Sequence, residues 1–365
     1  MKILIGGSPC THWSIAQTKN RETEASGIGW ELFLNYRIAR DKYQPDFFLY
    51  ENNKSMSLAI REQISKELGV EPVLINSALV SAQNRQRLYW VGRRNPDGTY
   101  SQVPVEQPED RCILLRDILE SGVCWREKGY TLKANYSKSS ATSAMDGGHF
   151  PAPMAAEPVN MTADGKAQCL RATCYKDGIR NLVGNVVDRK TCVAMPVGMA
   201  AGPKSILVVT AAGKSVPVYE VRNGKIAIKG EEYPIKLADG FYIIRKLTVT
   251  ECKRLQTVPE EYVFPVSDTQ AYKMLGNGWT VDVIVHIMSH FEGLTAEPVE
   301  VLSMYDGMSC GHIALDKLGA EISAYYATEI DKYAIQTTQH NYPDTVQLGD
   351  AFQVRDDDWR LGEEL

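Results

Sequence analysis

The chain has 365 residues, of which 44% are hydrophobic and 23% are charged, the composition of an ordinary globular protein. This length accommodates two domains, or one large domain with an insertion. No apolar run approaches the roughly 18 residues of a membrane span, and KILIG at residues 2–6 is too short for the core of a signal peptide. We therefore expect a soluble, cytoplasmic protein.

The formal net charge of −5 argues weakly against a nucleic-acid partner, but the charge is unevenly distributed. Residues 292–365 carry 15 acidic and 4 basic side chains, a net charge of −11, so the first 291 residues carry +6. A moderately basic body with an acidic segment can still present a basic groove to nucleic acid.

The cysteines predict neither a metal site nor a disulfide framework. No two of them form a CxxC pair, and no histidine lies at zinc-ligand spacing from any of them. We expect most of them to be small buried side chains, with Cys10 as the exception. The eight are Cys10, Cys112, Cys124, Cys169, Cys174, Cys192, Cys252 and Cys310.

Residues 1–95 alternate between predicted strands and helices, the pattern of an open and mostly parallel α/β sheet. The run KILIG predicts a strand that is buried on both faces. The predicted elements that follow are a helix in WELFLNYRIARDKY, a strand in DFFLYEN, a helix in SLAIREQISKELG, and strands in VLIN and LYWVG.

From about residue 100 to 240 the helical periodicity fades, and Gly, Ser, Pro and Thr become frequent. Short β-type runs, among them SILVVT, VPVYEV, KIAIKG and FYIIRKL, predict a second, β-rich domain. Helices return over residues 245–291, where LTVTECKRLQ begins at a threonine cap. Residues 299–350 then predict a βαβαβ block of the kind that forms the cofactor half of a Rossmann-like fold.

Cys10 and Glu51 are candidate catalytic residues, since each follows a predicted strand at the edge of the sheet where ligands bind. A thiolate and a carboxyl group beside one pocket suit nucleophilic attack on an electron-poor ring, with proton donation to a ring nitrogen. A cysteine after a strand is more often structural, and Glu51 precedes a predicted helix that it could cap.

Arg85 and Arg87 lie two residues apart before a strand, so in an extended chain their side chains face the same way. Two arginines on one rim can bind a carbonyl oxygen and a phosphate; a solvated basic turn is the alternative. Within the βαβαβ block, Glu329 ends a strand where such folds place a carboxylate on the ribose hydroxyls. Asp350 ends the next strand and could accept a hydrogen bond from an adenine amino group.

Together these segments resemble the motifs of the DNA cytosine-C5 methyltransferases. GGSPC is similar to the Pro-Cys nucleophile motif, YENN to the Glu-Asn motif and QNRQR to the Gln-x-Arg-x-Arg motif. Residues 245–256 and 270–284 resemble two late motifs, and SMYDGMSCG, TEID and LGD resemble the three cofactor motifs.

The order of the motifs departs from that family, because the chain begins at the nucleophile motif and has the cofactor motifs last. The sequence therefore resembles a circular permutation, cut before the nucleophile strand. The expected fold is a permuted, Rossmann-like α/β sheet of the S-adenosylmethionine-dependent methyltransferases with an inserted β-rich target-recognition domain. We expect 1–103 to form the catalytic half, 104–244 the recognition domain, and 245–365 the late motifs with the cofactor-binding half.

The resemblance implies methyl transfer from S-adenosylmethionine to C5 of a flipped-out cytosine in duplex DNA, through a covalent bond between Cys10 and C6. A restriction partner is possible; neither a membrane nor a metal is expected, and the oligomeric state stays open. Two rivals are a tRNA cytosine-C5 methyltransferase and a catalytically inactive DNA-binding relative.

The resemblance also implies three sets of site residues. Catalysis is assigned to Cys10, Glu51, Arg85 and Arg87, and DNA contact to Ser14, Gln83, Arg85 and Arg87. Cofactor contact is assigned to Tyr305, Asp306, Gly307, Met308, Ser309, Cys310, Gly311, Glu329, Ile330, Asp350, Ala351, Pro9, Asn277, Gly278 and Trp279.

Overall fold

The computed structural model describes residues 1–9, 12–13, 21–141, 145, 153–159, 191–195, 206–210 and 215–356. The first hundred residues form the predicted alternation of strands and helices. Their elements are β1 (Lys2–Gly6), α1 (Gly27–Tyr43), β2 (Phe47–Asn53), α2 (Leu58–Leu68), β3 (Pro72–Asn76), β4 (Gln86–Arg94) and β5 (Tyr100–Gln102).

The middle of the chain contributes strands, as its β-type runs predict. These are β6 (Met154–Val159), β7 (Thr191–Met195), β8 (Ile206–Thr210), β9 (Ser215–Arg222), β10 (Lys225–Ile228), β11 (Glu231–Pro234) and β12 (Gly240–Lys246).

The last third begins with a helix capped as predicted, since the Thr248 hydroxyl accepts from the N–H of Glu251 and the Glu251 carboxylate accepts from the N–H of Thr248. Its elements are α3 (Val249–Leu255), α4 (Asp268–Asn277), α5 (Val281–Met288), β13 (Val299–Met304), α6 (Cys310–Leu318), β14 (Ile322–Thr328), α7 (Lys332–Asn341), β15 (Val346–Gly349) and α8 (Ala351–Asp356).

The strands of the first hundred residues and those of the last third form one sheet in the order β15-β14-β13-β1-β2-β4-β3, with β5 beside β4. Strand β1 pairs in parallel with β13 on one side and with β2 on the other. Numbering β13, β14, β15, β1 and β2 as strands 1 to 5 gives the order 3-2-1-4-5 from β15 to β2. This is the order of doubly wound nucleotide-binding sheets. Strand β1 therefore lies inside the sheet between β13 and β2, in agreement with the buried strand predicted from KILIG.

Strand β4 differs from its neighbours because it runs antiparallel to both β2 and β3. Only residues 77–85 join β3 to β4, and a parallel connection needs a dozen residues or more to cross the sheet. The short connection therefore reverses the chain. One consequence is that the turn before β4 lies beside the carboxyl end of β2.

Helices cover both faces of this sheet, and alternate residues of β1 enter different cores. Ile3 and Ile5 pack with α5 and α6, whereas Leu4 packs with α1 and α2 on the opposite face. All three side chains are fully buried. The first strand is therefore one of the most enclosed parts of the described structure.

The second sheet contains β6–β12 in the order β11-β10-β9-β12-β6, with β8 pairing with both β7 and β9. It has its own core, which includes Trp125, Ile226 and Tyr242. Leu115, Leu132 and Tyr136 instead pack in the core of the first sheet, although they precede this second sheet in the chain. The division of the chain at residues 103 and 244 stays a prediction.

Candidate active site

The loop after β1 is anchored where it leaves the sheet. The Ser8 hydroxyl lies 2.6 Å from that of Tyr50, and the Asn52 side-chain amide donates to the Ser8 carbonyl at 3.2 Å. Ser8 is buried, whereas Pro9 is exposed at the surface. Cys10 and Ser14, the predicted nucleophile and a predicted DNA contact, lie outside the described residues. The loop that leads to Cys10 thus starts from a fixed point.

Glu51 lies at the end of β2 with a donor on each carboxylate oxygen. The Arg87 Nε atom is 3.0 Å from Oε1, and the Trp279 indole N–H donates to Oε2 at 3.0 Å. A Cβ atom at Gly7 would come within 3.0 Å of Oε2 and 2.9 Å of the Glu51 carbonyl oxygen, so glycine lets the two strand ends approach closely. The structure thereby brings Glu51 and Arg87 together beside the chain that continues to Cys10.

Arg85, predicted to touch substrate or phosphate, points into the protein. It is 4% exposed and donates to the carbonyls of Leu132, Gly276 and Gly278, at 3.1, 3.3 and 2.8 Å. These three contacts are with main chain, so in this conformation Arg85 fixes the loop at 276–278, and Arg87 lies beside Glu51.

Gln83, a predicted DNA contact, is fully buried. Its amide nitrogen donates to the Leu255 carbonyl at 2.9 Å and to Gln256 at 2.7 Å, and its amide oxygen accepts from the N–H of Leu132. Every polar atom of the side chain therefore has a protein partner, and none faces a surface that DNA could reach in this conformation. Gln83 ties the turn before β4 to the end of α3.

The turn between α4 and α5 carries three residues that were predicted to meet the cofactor. Asn277 is exposed at the end of α4, whereas Gly278 is partly buried over Cys310. A Cβ atom at Gly278 would lie 3.1 Å from the Cys310 sulfur. The third residue, Trp279, reaches Glu51 through its indole, a contact that no sequence pattern indicated.

We expect Gly276→Ala to lower the free energy of unfolding by about 1–3 kcal/mol. An alanine Cβ would lie 2.2 Å from the Lys133 carbonyl carbon and 2.4 Å from the Ala134 nitrogen, which are main-chain atoms that cannot simply rotate away. This clash should outweigh the gain of about 1 kcal/mol in helix propensity. Urea denaturation measures the change, with exposed Thr269→Ala in the same helix as the control, expected within about 0.5 kcal/mol. Equal midpoints for both variants would contradict the prediction.

The turn after β13 has a left-handed backbone at Tyr305, Gly307 and Ser309, with φ of 59°, 61° and 57°. Asp306 stabilises this turn from inside: its carboxylate accepts from the hydroxyls of Ser303, Tyr325 and Ser309. Burial raises the pKa of Asp306, and these three hydrogen bonds partly offset that effect. Asp306 thus shapes the predicted cofactor turn, and its carboxylate faces these three hydroxyls inside the protein.

Glu329 and Asp350 lie at the carboxyl ends of β14 and β15, the edge at which doubly wound sheets bind ligands. Glu329 accepts from the N–H of Gly307 at 2.8 Å, which joins it to the turn after β13. Ile330, the next residue, is 74% exposed, unusual for a large apolar side chain. Two carboxylates and an exposed apolar side chain therefore lie along one edge.

Two further predicted cofactor residues begin α6. Cys310 is buried, and burial raises the pKa of its thiol to about 12, so it stays neutral and unreactive at physiological pH. A Cβ atom at Gly311 would lie 2.0 Å from Cδ1 of Ile5, so glycine allows α6 to pack directly on β1. The start of α6 and the centre of the sheet therefore hold one another in place.

Within the described part of the chain, no group of three or more His, Cys, Asp or Glu side chains could hold a metal ion. No helix among the residues with assigned positions is long and apolar enough to cross a membrane.

The sheet order, the turn with left-handed backbone after β13 and the acidic residues after β14 and β15 are those of the Rossmann-like α/β fold of the S-adenosylmethionine-dependent methyltransferases. Residues 1–292 match the family model of C-5 cytosine-specific DNA methylases. The chain belongs to this family.

Individual proteins show the same similarity. Type II methyltransferase M.HpaII of Haemophilus parainfluenzae is 25% identical over 298 residues, which cover 77% of this chain and 69% of that protein. Type II methyltransferase M1.ScrFI of Lactococcus lactis subsp. cremoris is 27% identical over 301 residues, covering 77% of this chain and 60% of the relative. The crystal structure of the S. pombe Dnmt2 methyltransferase aligns with a TM-score of 0.36 and 13% identity over 80% of this chain and 77% of that one.

Proposed function

We propose that this protein transfers a methyl group from S-adenosylmethionine to C5 of a flipped-out cytosine in a specific duplex DNA sequence. The observation that carries the proposal is the placement of Glu51 between Arg87 and Trp279, against Gly7 in the loop that continues to Cys10. Membership of the cytosine-C5 family gives this carboxylate its expected partner, a cytosine ring.

In this mechanism the Cys10 thiolate adds to C6 of the cytosine, forming the S–C6 bond and moving the ring electrons towards C5. Glu51 hydrogen-bonds or protonates N3 and so draws charge out of the ring, while Arg87 binds the O2 oxygen. When bound, S-adenosylmethionine would supply the methyl group that C5 accepts, and the electrons of the broken methyl–sulfur bond would stay on its sulfur. A base then removes the C5 proton, the S–C6 bond breaks with its electrons returning to sulfur, and N3 returns any proton to Glu51.

The residues at the end of the cofactor-side strands fit an adenosine-type ligand. Glu329 and Asp350 offer carboxylate acceptors for ribose hydroxyls and an amino group, and Ile330 offers an apolar surface for a purine. Space is open beside Gly307, where an added Cβ would meet no atom within 4 Å. We assign cofactor binding to Glu329, Ile330 and Asp350, together with the turn at 305–311, Ala351, Pro9, Asn277 and Gly278.

The activity is tested by expressing the protein in cells free of other cytosine methylation and by bisulfite sequencing of the plasmid. Methylation of every copy of one short sequence supports the proposal. A parallel assay with purified protein compares duplex DNA with tRNA, and transfer to tRNA alone would contradict the DNA assignment. A modified plasmid also identifies the recognised site. We infer a cytoplasmic location and a possible restriction partner from the type II relatives.

We expect sequence recognition to depend on the second sheet, most of which lies within the predicted domain at 104–244. Exchanging residues 139–244 for those of a relative should change the methylated sequence, since phosphate contacts position the protein and base contacts specify the site. The affinity for S-adenosylmethionine should stay within about twofold, because the proposed cofactor residues lie outside 139–244. The exchange begins at 139 because Leu115, Leu132 and Tyr136 belong to the core of the first sheet. An unchanged methylation site after the exchange would contradict this assignment.

A further inference from the structure

The side chain of Trp279 makes a specific polar contact with the proposed catalytic carboxylate. Its indole N–H donates to Oε2 of Glu51 at 3.0 Å, while Arg87 occupies the other oxygen. The two donors come from separate elements, the turn after α4 and the strand β4. A carboxylate that is held on both oxygens by donors from two elements has its plane fixed, beyond what either contact achieves alone.

The turn that carries Trp279 is itself held firmly. Arg85 donates to the carbonyls of Gly276 and Gly278, and the Gln256 amide donates to that of Leu275 at 2.6 Å. Arg85 and Gln256 are both nearly fully buried. The main-chain carbonyl of Trp279 accepts from the Cys310 thiol at 3.8 Å, at the start of α6. The indole is thus presented to Glu51 from a rigid support.

We propose that Trp279 is a positioning residue that orients Glu51 for its interaction with the cytosine ring. The inference rests on the proposed function and assigns Trp279 a role different from the cofactor contact expected from the sequence. An acid must lie within hydrogen-bond reach of the atom that it serves, and a displacement of about 1 Å can reduce a rate by about a hundredfold. The indole N–H prevents rotation of the Glu51 carboxylate away from that geometry.

The contact is tested first without any reaction. In the ¹H–¹⁵N spectrum of the cofactor-free protein, the indole resonance that disappears in Trp279→Phe is that of Trp279. This resonance should shift in Glu51→Gln, because a neutral amide replaces the carboxylate acceptor. An indole resonance that is identical in wild type and Glu51→Gln would overturn the proposal, whatever the protein proves to methylate.

The role is tested by single-turnover transfer of a labelled methyl group to the site found by plasmid sequencing. Trp279→Phe keeps an aromatic ring and loses the N–H, so we expect the rate of transfer to fall about 10–100-fold with the Kd for S-adenosylmethionine within about twofold. In a Glu51→Gln background the same substitution should change the rate by less than about twofold, since the group it positions is absent. Weaker cofactor binding with an unchanged rate, or equal losses in both backgrounds, would overturn the proposal.

Trp90→Phe is the matched control. Trp90 lies on β4 and also donates its indole N–H, to the Ser65 hydroxyl at 3.0 Å. This variant should leave the rate of transfer unchanged, with folding of both variants checked by thermal denaturation. If Glu51→Gln itself transfers methyl groups at the wild-type rate, the role of Glu51 in the proposed function fails, and the positioning role of Trp279 fails with it. In that case, a Trp279 indole resonance that still shifts in Glu51→Gln would show that the contact exists and that only the proposed function is wrong.

Discussion

Replacing Cys10 by serine should reduce methyl transfer by on the order of a thousandfold or more, while the affinity for S-adenosylmethionine stays within about twofold. The thiolate is the reactive form of cysteine, and a serine hydroxyl is hardly ionised at neutral pH. The proposed cofactor residues Glu329, Ile330 and Asp350 follow the carboxyl ends of strands β14 and β15, which lie beyond β13 from β1. Loss of the sulfur should therefore affect the chemical step and leave the cofactor site intact.

A covalent trap makes this prediction specific to Cys10. Duplex DNA with 5-fluorocytosine at the recognised position should form a stable adduct with the wild-type protein, because fluorine cannot leave C5 as a proton does. Cys10→Ser should form none on denaturing gels. Cys112→Ser is the matched control, since Cys112 is an exposed cysteine outside the proposed site. Adduct formation by Cys10→Ser, or full activity of that variant, would contradict the nucleophile assignment.

Much of the fold was predictable because several strands of the first sheet, such as β1 and β13, contain a short apolar run next to turn residues. Local chemistry also marks the helix ends: Gly69 closes α2 in a left-handed conformation and Thr248 caps α3. The reversal of β4 was harder to predict. It depends on how few residues join it to β3, and the apolar pattern of a strand carries no information on its direction.

The site was predictable in its residue types and less so in its contacts. The two-residue spacing of Arg85 and Arg87 predicted that both side chains face the same way, but it could not show that Arg85 would donate to the carbonyls of Gly276 and Gly278. Those partners are 191 and 193 residues away in the chain. The contact between the Trp279 indole and Glu51 was unpredictable for the same reason, since only the folded chain brings these two distant segments together. Long-range pairing of this kind leaves no trace in local periodicity.

Deleting residues 1–6 should abolish folding, although most proteins tolerate the loss of a few terminal residues. These residues form β1, which pairs with β13 and β2 at the centre of the sheet. Ile3, Leu4 and Ile5 are fully buried, and each contributes about 1.5–3 kcal/mol through the hydrophobic effect. Their sum is comparable with the total stability of about 5–15 kcal/mol of a typical protein, before the loss of hydrogen bonds to both neighbouring strands is counted.

Point variants in the same strand separate the burial of β1 from any effect of shortening the chain. Leu4→Ala should lower the free energy of unfolding by about 2–5 kcal/mol, the usual cost of a cavity in a core. Lys2→Ala, whose side chain is half exposed and lies 3.8 Å from Glu300, should change it by less than about 1 kcal/mol. Circular dichroism during thermal and urea denaturation measures all three variants. A truncated protein that unfolds cooperatively near the wild-type temperature would contradict the central position of β1. The proposed arrangement of Gly7, Glu51 and Cys10 would then fail as well, because β1 is the strand that brings Gly7 to the edge of the sheet.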